Sequence, residues 1–173
     1  MRLIDPILAE LEQEAHATRR VLARVPDAHL PWRPHPKSFS LGQLALHVAT
    51  IPGNVAQIAA LELLAEPPPF VQPAATSAAE LVPALDASLE QARQALQGLD
   101  DAAMSHTWRL MSRGRELMAL PRSAVLRTIM LNHWYHHRGQ LLVYLRFHDV
   151  PLPSVYGPTA DESPFAPAAA GVA

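Results

Sequence analysis

The sequence contains no cysteine among its 173 residues. Disulfides, iron–sulfur clusters and thiolate zinc sites are therefore excluded, because each of them needs cysteine sulfur. Any metal site would have to use histidine, carboxylate or water ligands. The nine histidines of the chain are consequently the first candidates for metal chemistry.

A strong charge of one sign is also absent, since the formal net charge is −2 with neutral histidines. With its basic residues mostly scattered, the chain shows no footprint for DNA or RNA binding. No apolar run reaches the roughly 18 residues of a membrane span. The N-terminal stretch "MRLIDPILAE" lacks the apolar core of a signal peptide. We therefore expect a soluble, cytoplasmic protein with neither nucleic acid nor membrane as a partner.

Aromatic residues make up only 6% of the chain, whereas alanine and leucine are abundant. Strong helix formers dominate and β-branched residues are few, which predicts an all-α fold. Apolar residues recur at helical spacing in four stretches that Pro-rich loops separate. We expect one up-down four-helix bundle over residues 1–162, followed by a mobile Pro- and Ala-rich tail over residues 163–173.

Capping residues, prolines and glycines set the bounds of the four predicted helices. These helices run from Asp5 to Pro26, from Ser40 to about residue 65, from Ser77 to Gly98, and from Pro121 to about His148. The pair Pro52-Gly53 is expected to kink or break the second helix. Residues 107–120 alternate in polarity around Arg113-Gly114, which predicts a short hairpin or an extended loop before the last helix.

The stretch "LNHWYHHRGQ" places three histidines within five positions of the last helix. His133 and His137 are four residues apart, which stacks them on one helix face about 5–6 Å apart at Cβ. That face is also the predicted inward one, with apolar residues before and after the pair (Leu126, Ile129, Met130, Leu141, Tyr144 and Leu145). The spacing fits two ligands of one metal ion, and it fits equally a hydrogen-bonded or partly exposed pair.

His47 on the second helix strengthens the metal interpretation. It follows Leu44 and Ala45 of the apolar face, and helices two and four can be neighbours in a bundle. Together with the pair on the last helix it would form a three-nitrogen face that leaves one to three coordination positions open. The alternative is a histidine at the edge of the core that bonds a backbone carbonyl.

The other histidines are weaker candidates. His136 lies about 100° around the helix from His137, so we expect it at the bundle edge, although it could replace His137 or support it. His16 is expected to flank the apolar face of the first helix. The remaining four are expected at the surface, in loops or at a helix end (His29, His35, His106 and His148).

Two further residues of this stretch limit the interpretation. Trp134 follows His133 where the zinc proteases of the HExxH type have their glutamate, so the general base of that mechanism is absent. Gly139 in mid-helix costs about 1 kcal/mol relative to alanine unless close packing requires it. A second helix or a second subunit that approaches closely at this point would supply the need.

Three segments of the sequence resemble the DinB/YfiT-like superfamily of metal-dependent four-helix-bundle proteins. They are "RPHPKSFSLGQLALHVATIPGN", "NHWYHHRGQLLVYLR" and the tail segment "VPLPSVYGPTADE". The resemblance implies that His47, His133 and His137 bind a divalent metal ion, commonly zinc or nickel. It also implies a homodimer, and some relatives are transferases or isomerases that use low-molecular-weight thiols.

Two functions from different classes follow. The first is a divalent-metal-dependent enzyme whose three-His site activates water or a small thiol, for transferase or hydrolase chemistry on a small molecule. The sequence does not identify a general base for this reaction. Four residues are candidates because we expect them near the histidines (His136, Tyr144, Asp161 and Glu162). The second is a non-catalytic, metal-binding helical dimer with a structural or stress-response role.

A third hypothesis has no metal at all, and the three histidines are hydrogen-bonded instead. Open coordination positions that face a pocket would favour chemistry, whereas an added carboxylate ligand would favour structure.

Overall fold

The computed structural model describes residues 1–67, 69 and 71–165. It is mostly helical, as predicted. The helices are α1 (Asp5–Leu22), α2 (Leu41–Ala60), α3 (Leu81–Leu96), α4 (Asp101–Ser105), α5 (Arg122–Val125) and α6 (His133–Arg146). A π-helical segment (Leu126–Asn132) joins α5 to α6, and single 3-10 turns lie at Asp27–His29 and Ala78–Glu80. Residues 166–173 of the tail that we expected to be mobile lie outside the described residues.

The helix α2 lies at the centre of the packing. It contacts α3 on one side and α6 with the π-helical segment on the other, while α1 packs against both α3 and α6. Fully buried side chains from all four long helices form one core (Leu11, Leu22, Leu44, Ile51, Leu85, Leu89, Trp134 and Leu141). In the part of the chain that the structure describes, no helix combines the length and the apolar character that a membrane crossing needs.

Both predicted capping boxes are confirmed. The Ser40 hydroxyl accepts the backbone N–H of Gln43 at 3.2 Å, and the Gln43 side chain accepts the backbone N–H of Ser40 at 2.9 Å. The same reciprocal pair joins Ser77 and Glu80, where a 3-10 turn leads into α3. Because Ser40 fixes the start of α2, His47 follows two turns later on a helix of defined phase.

The helix α2 continues through Pro52 without the break that the sequence suggested. Proline has no N–H, so the carbonyl of Val48, four residues earlier, loses its helical partner. The indole N–H of Trp134 in α6 donates to that carbonyl at 2.8 Å, and the N–H of Gly53 donates to Ser88 Oγ at 2.8 Å. Neighbouring helices therefore supply hydrogen bonds around the proline, and α2 remains continuous.

The predicted hairpin is present. Strands β2 (Thr107–Ser112) and β3 (Arg115–Pro121) pair antiparallel, and Arg113 and Gly114 at the turn have φ of 48° and 71°. A third strand was not predicted: β1 (Leu63–Leu64) pairs parallel with β2. Two residues are too few to show an alternating pattern. The all-α prediction therefore covers the helical part of the chain but not this small sheet, and α2 ends at Ala60 rather than near residue 65.

The last helix differs from the prediction in its phase. Leu126, Met130 and Leu141 are buried as expected, but Ile129 is 37% exposed. Trp134 and Arg138 are fully buried instead. A π turn contains more than the 3.6 residues of an α turn. A pattern of 3.6 residues per turn that is continued across Leu126–Asn132 therefore assigns later side chains to the wrong face of the helix. His133 and His137 consequently lie half-buried at the border of the core.

Candidate metal centre

The structure brings His47, His133 and His137 together. One ring nitrogen from each lies within 4.8 Å of the other two. The ring centroids of His137 are 4.6 Å from those of both His47 and His133, and the remaining pair is 5.3 Å apart. A tetrahedral zinc ion would need these nitrogens about 3.3 Å apart, from bonds of about 2.0–2.1 Å. Histidine side chains rotate about two bonds, so three imidazoles at this spacing are a donor set that could hold a divalent ion.

Two hydrogen bonds orient the rings on α6. His133 Nδ1 lies 3.2 Å from the carbonyl oxygen of Ile129, and His137 Nδ1 lies 2.8 Å from Oε1 of Gln140. Both partners are acceptors, so each Nδ1 holds the ring proton and each Nε2 keeps its lone pair. This is the arrangement that fixes the tautomer of metal-binding histidines in proteins.

The three imidazoles lie in an environment that favours their neutral form. Burial is the largest cause that lowers the pKa of His47 to about 4, and the nearby His137 and His133 lower it as well, while a hydrogen bond with the Gln72 side chain opposes them. Burial also lowers the pKa of His133 and of His137. Neutral rings at pH 7 have lone pairs available for a metal ion.

No carboxylate belongs to this group among the described residues. Both carboxylates among the candidate bases are engaged elsewhere: Asp161 accepts from Arg146 and from the backbone N–H of Leu152, and Glu162 accepts from Arg20. The Tyr144 hydroxyl lies 3.4 Å from the carbonyl oxygen of Phe39. The group therefore has three nitrogens and no acidic ligand.

The remaining histidines lie outside the group. His136 is exposed, with its ring 5.0 Å from that of His137. His35 and His106 are exposed as expected, and His16 on the flank of α1 is exposed as well. His29 and His148 differ from the surface prediction, because they are partly buried and their rings stack at 4.0 Å with an angle of 11°. Nearly parallel rings do not direct their lone pairs to one point, so this pair lacks the convergence of a ligand set.

A cleft of about 610 Å³ opens beside the histidines. One wall is α2, and the described residues of the other are Pro67, Pro69, Val71, Gln72 and Pro73. His47 and His133 are among the lining residues. A molecule in this cleft would therefore lie directly beside the two imidazoles, and the volume is typical of sites for small molecules.

Sequence reasoning missed a buried polar network behind the histidines. Arg138, which follows His137, is only 2% exposed and pairs with Glu14 of α1 at 2.6 Å. Its guanidinium also donates to Thr18 Oγ1 at 2.9 Å and to the hydroxyl of Tyr156 at 2.5 Å. The network fastens α6 to α1 and to the returning tail. An arginine directly after a histidine in the predicted inward face was the available signal, because a buried arginine requires such partners.

Gly139 does not mark a close approach within this chain. A Cβ placed on it would meet no atom of the described residues within 4 Å. The close approach occurs at Gly53 instead, where a Cβ would lie 2.6 Å from Oε1 of Gln91 and 2.8 Å from the carbonyl oxygen of Ser88. The tight helix contact is therefore between α2 and α3.

Comparison with known proteins agrees with this architecture. The uncharacterized protein YrdA of Bacillus subtilis (strain 168) is 28% identical over 162 residues, which cover 92% of this chain and 91% of YrdA. A crystal structure of a DinB-like protein from Bacillus cereus matches with a TM-score of 0.69 at 25% identity, over 88% of this chain and 97% of that one. The DinB-like protein YjoA of Bacillus subtilis matches with a TM-score of 0.63 at 18% identity, over 87% and 97%, and shows the shared fold alone.

The family itself is identified from the sequence. A model of the DinB family matches residues 3–166, and this range includes α1 to α6 and all three clustered histidines. Because the match spans nearly the whole chain, the protein belongs to the DinB family.

Proposed function

We propose that this protein is a divalent-metal-dependent enzyme in which His47, His133 and His137 hold the ion. The observation that supports this most is the convergence of three imidazole nitrogens within 4.8 Å at the edge of a 610 Å³ cleft. Imidazole ligands suit zinc and nickel, which are the metals we propose. The four long helices are proposed to form the up-down bundle that holds this site.

The residues around the ion would each have a defined part. A divalent ion held by the three rings supplies Lewis-acid activation, which makes water or a thiol a better nucleophile at neutral pH. Gln140 and the carbonyl of Ile129 hold the ring protons on the Nδ1 atoms, which leaves Nε2 for the ion. The buried position of His47 keeps its ring neutral, so protons compete little with a metal near pH 7.

The cleft and the ligand set favour catalysis over a purely structural metal. A structural zinc site is normally closed by four protein ligands. Here the described residues offer three nitrogens without a carboxylate, and two of these histidines face open space. The chemistry that we propose is thiol transfer or hydrolysis of a small molecule. The non-catalytic metal-binding dimer is the alternative.

A screen of the metal-loaded protein tests the enzymatic proposal. Zinc- and nickel-loaded protein is incubated with low-molecular-weight thiols and electrophilic acceptors, and separately with esters and amides in the absence of thiol. We expect turnover that His137→Ala abolishes and that His136→Ala, a substitution one position away on the exposed side, retains. Full metal loading without turnover of any acceptor would favour the non-catalytic alternative.

We also propose a homodimer. The outer side of α6 exposes Val143 and Phe147, at 56% and 65%, beside a groove that is lined by Leu142 and Leu152 as well. Exposed apolar side chains that cluster in this way are typical of association surfaces. Light scattering of the purified chain should give twice the 18.9 kDa mass, and Val143→Lys should shift it toward the monomer.

A further inference from the structure

The helix beside the cleft has no charged residue. None of the twenty residues of α2 is Asp, Glu, Lys or Arg, and neither is any of the described residues of the opposite wall (Pro67, Pro69, Val71, Gln72 and Pro73). This is unusual because part of α2 faces solvent: Asn54, Gln57 and Ile58 are exposed. Val71 on the other wall is 79% exposed. The walls of the cleft therefore present uncharged and largely apolar surface.

The nearest acid along the chain is directed away from this space. The carboxylate of Glu66 accepts the hydroxyl of Ser112 at 2.8 Å and the backbone N–H of Arg113 at 2.8 Å, which ties it to the β2–β3 hairpin. It is not among the residues that line the cleft. No Asp, Glu, Lys or Arg is among the described lining residues, so a charged group on a ligand would leave water there without a counter-charge.

Besides the imidazoles of His47 and His133, the polar side chains that line the cleft carry hydroxyl and amide groups. Thr50 donates its hydroxyl hydrogen to the carbonyl oxygen of Leu46 at 2.9 Å, so the hydroxyl oxygen can still accept. Gln72 hydrogen-bonds the ring of His47. Asn54 and Gln57 lie on the exposed side of α2 and line the cleft. These groups can orient a polar but neutral part of a ligand, whereas an ionised group would lose hydration there without gaining a charged partner.

We infer that the cleft binds an uncharged small molecule with an apolar body. Its apolar part would lie between α2 and the opposite wall formed by Pro67, Pro69 and Val71. Its neutral polar group would lie against the amides of Asn54 and Gln57. The inference rests on the proposed function in one respect, namely that this molecule is the substrate, with its reacting group next to His47 and His133. A charged substrate, such as a phosphate ester or a dicarboxylate, is excluded from the body of the cleft.

Two fluorescent probes that differ by one sulfonate group test this inference. N-phenyl-1-naphthylamine is neutral, and 8-anilinonaphthalene-1-sulfonate is the same molecule with an anionic sulfonate. Both become fluorescent in apolar surroundings. Titrations are made with the protein as purified and again after treatment with EDTA, so that attraction of the sulfonate to a metal ion is removed. We expect the neutral probe to bind at least tenfold more tightly than the sulfonate probe. This preference should be larger after EDTA treatment than before it.

Three substitutions locate the bound probe. Val55→Lys places a cation on the wall of the cleft and should weaken binding of the neutral probe at least tenfold. Asn54→Lys adds a cation at an exposed position. It should reduce the preference for the neutral probe, because the lysine strengthens binding of the sulfonate probe. Leu117→Lys is the matched control, since Leu117 is an exposed apolar residue of β3 and is not among the described lining residues of the cleft, and it should leave the titration unchanged.

The outcomes separate this inference from the metal proposal. Neutral-probe binding that is sensitive to Val55→Lys supports the inference whether or not the protein retains metal. Equal affinity for the two probes, or binding that neither Val55→Lys nor Asn54→Lys changes, overturns it even if zinc is bound and turnover is seen. Absence of metal with an intact probe preference would contradict the proposed function alone.

Discussion

The indole N–H of Trp134 donates to the carbonyl oxygen of Val48 at 2.8 Å. That carbonyl is available because Pro52, four residues later in α2, has no N–H to give it. Trp134 adjoins His133, and Val48 adjoins His47. One buried hydrogen bond therefore aligns the two helices where their histidines meet.

A double-mutant cycle tests this relationship. Trp134→Phe should lower the free energy of unfolding by about 1–3 kcal/mol, because the buried carbonyl loses its donor. Pro52→Ala restores a backbone N–H to the same carbonyl, so Trp134→Phe should cost measurably less in that background. Urea denaturation of the four proteins gives the coupling. An identical cost of Trp134→Phe in both backgrounds would show that the proline does not create the acceptor.

The buried pair of Arg138 and Glu14 should dominate the electrostatic part of stability. Its members are 2% and 9% exposed, so Glu14→Ala leaves a buried guanidinium without its partner and should cost about 3–5 kcal/mol. The control is Glu12→Ala, which removes the exposed partner of Arg93 and should cost less than about 1 kcal/mol. Chemical denaturation measures both, and similar losses would contradict the assigned difference in burial.

Two glycine substitutions should have opposite signs. Gly53→Ala places a Cβ within 3 Å of Gln91 and of the backbone of Ser88, and should destabilise the protein by about 1–3 kcal/mol. Gly139→Ala meets no atom within 4 Å, and should stabilise α6 by up to about 1 kcal/mol through helix propensity. Thermal unfolding at matched concentration checks both. Destabilisation by Gly139→Ala would indicate that a second subunit approaches that glycine.

The metal-free protein should lose stability as the pH falls from about 6.5 to about 4. The pKa of His47 is lowered to about 4 in the folded chain from an unfolded value near 6.5. Between these values the unfolded chain binds more protons, so stability rises with pH and is lost on acidification. The difference between the two pKa values corresponds to about 3 kcal/mol of unfolding free energy. His47→Gln should reduce the slope of unfolding free energy against pH in this window, and an unchanged slope would contradict the burial assigned to His47.

The sequence predicted the parts of the molecule that local patterns determine. Both capping boxes, the Arg113-Gly114 hairpin turn and the helical content of the chain follow from residues within four positions of each other. The three clustered histidines also follow, since a four-residue spacing and a resemblance of motifs identified His133, His137 and His47. The exposed position of His136 agrees with its helical phase.

The remaining features depend on contacts between distant residues. The π-helical segment Leu126–Asn132 changes the phase of the last helix, and no local sequence pattern predicts this segment. The partner of Arg138 is Glu14, 124 residues earlier, so only tertiary packing shows that this arginine is buried. The continuity of α2 through Pro52 likewise depends on Trp134 and Ser88 of other helices.

Metal retention by the purified protein tests whether His47, His133 and His137 hold a divalent ion. Wild-type protein, His133→Ala and the control His136→Ala are loaded with zinc, dialysed exhaustively and analysed for metal by inductively coupled plasma mass spectrometry. We expect about one ion per chain in the wild type and in His136→Ala, and background metal in His133→Ala. Equal metal content in wild type and His133→Ala, whether near zero or near one, would contradict the three-His site.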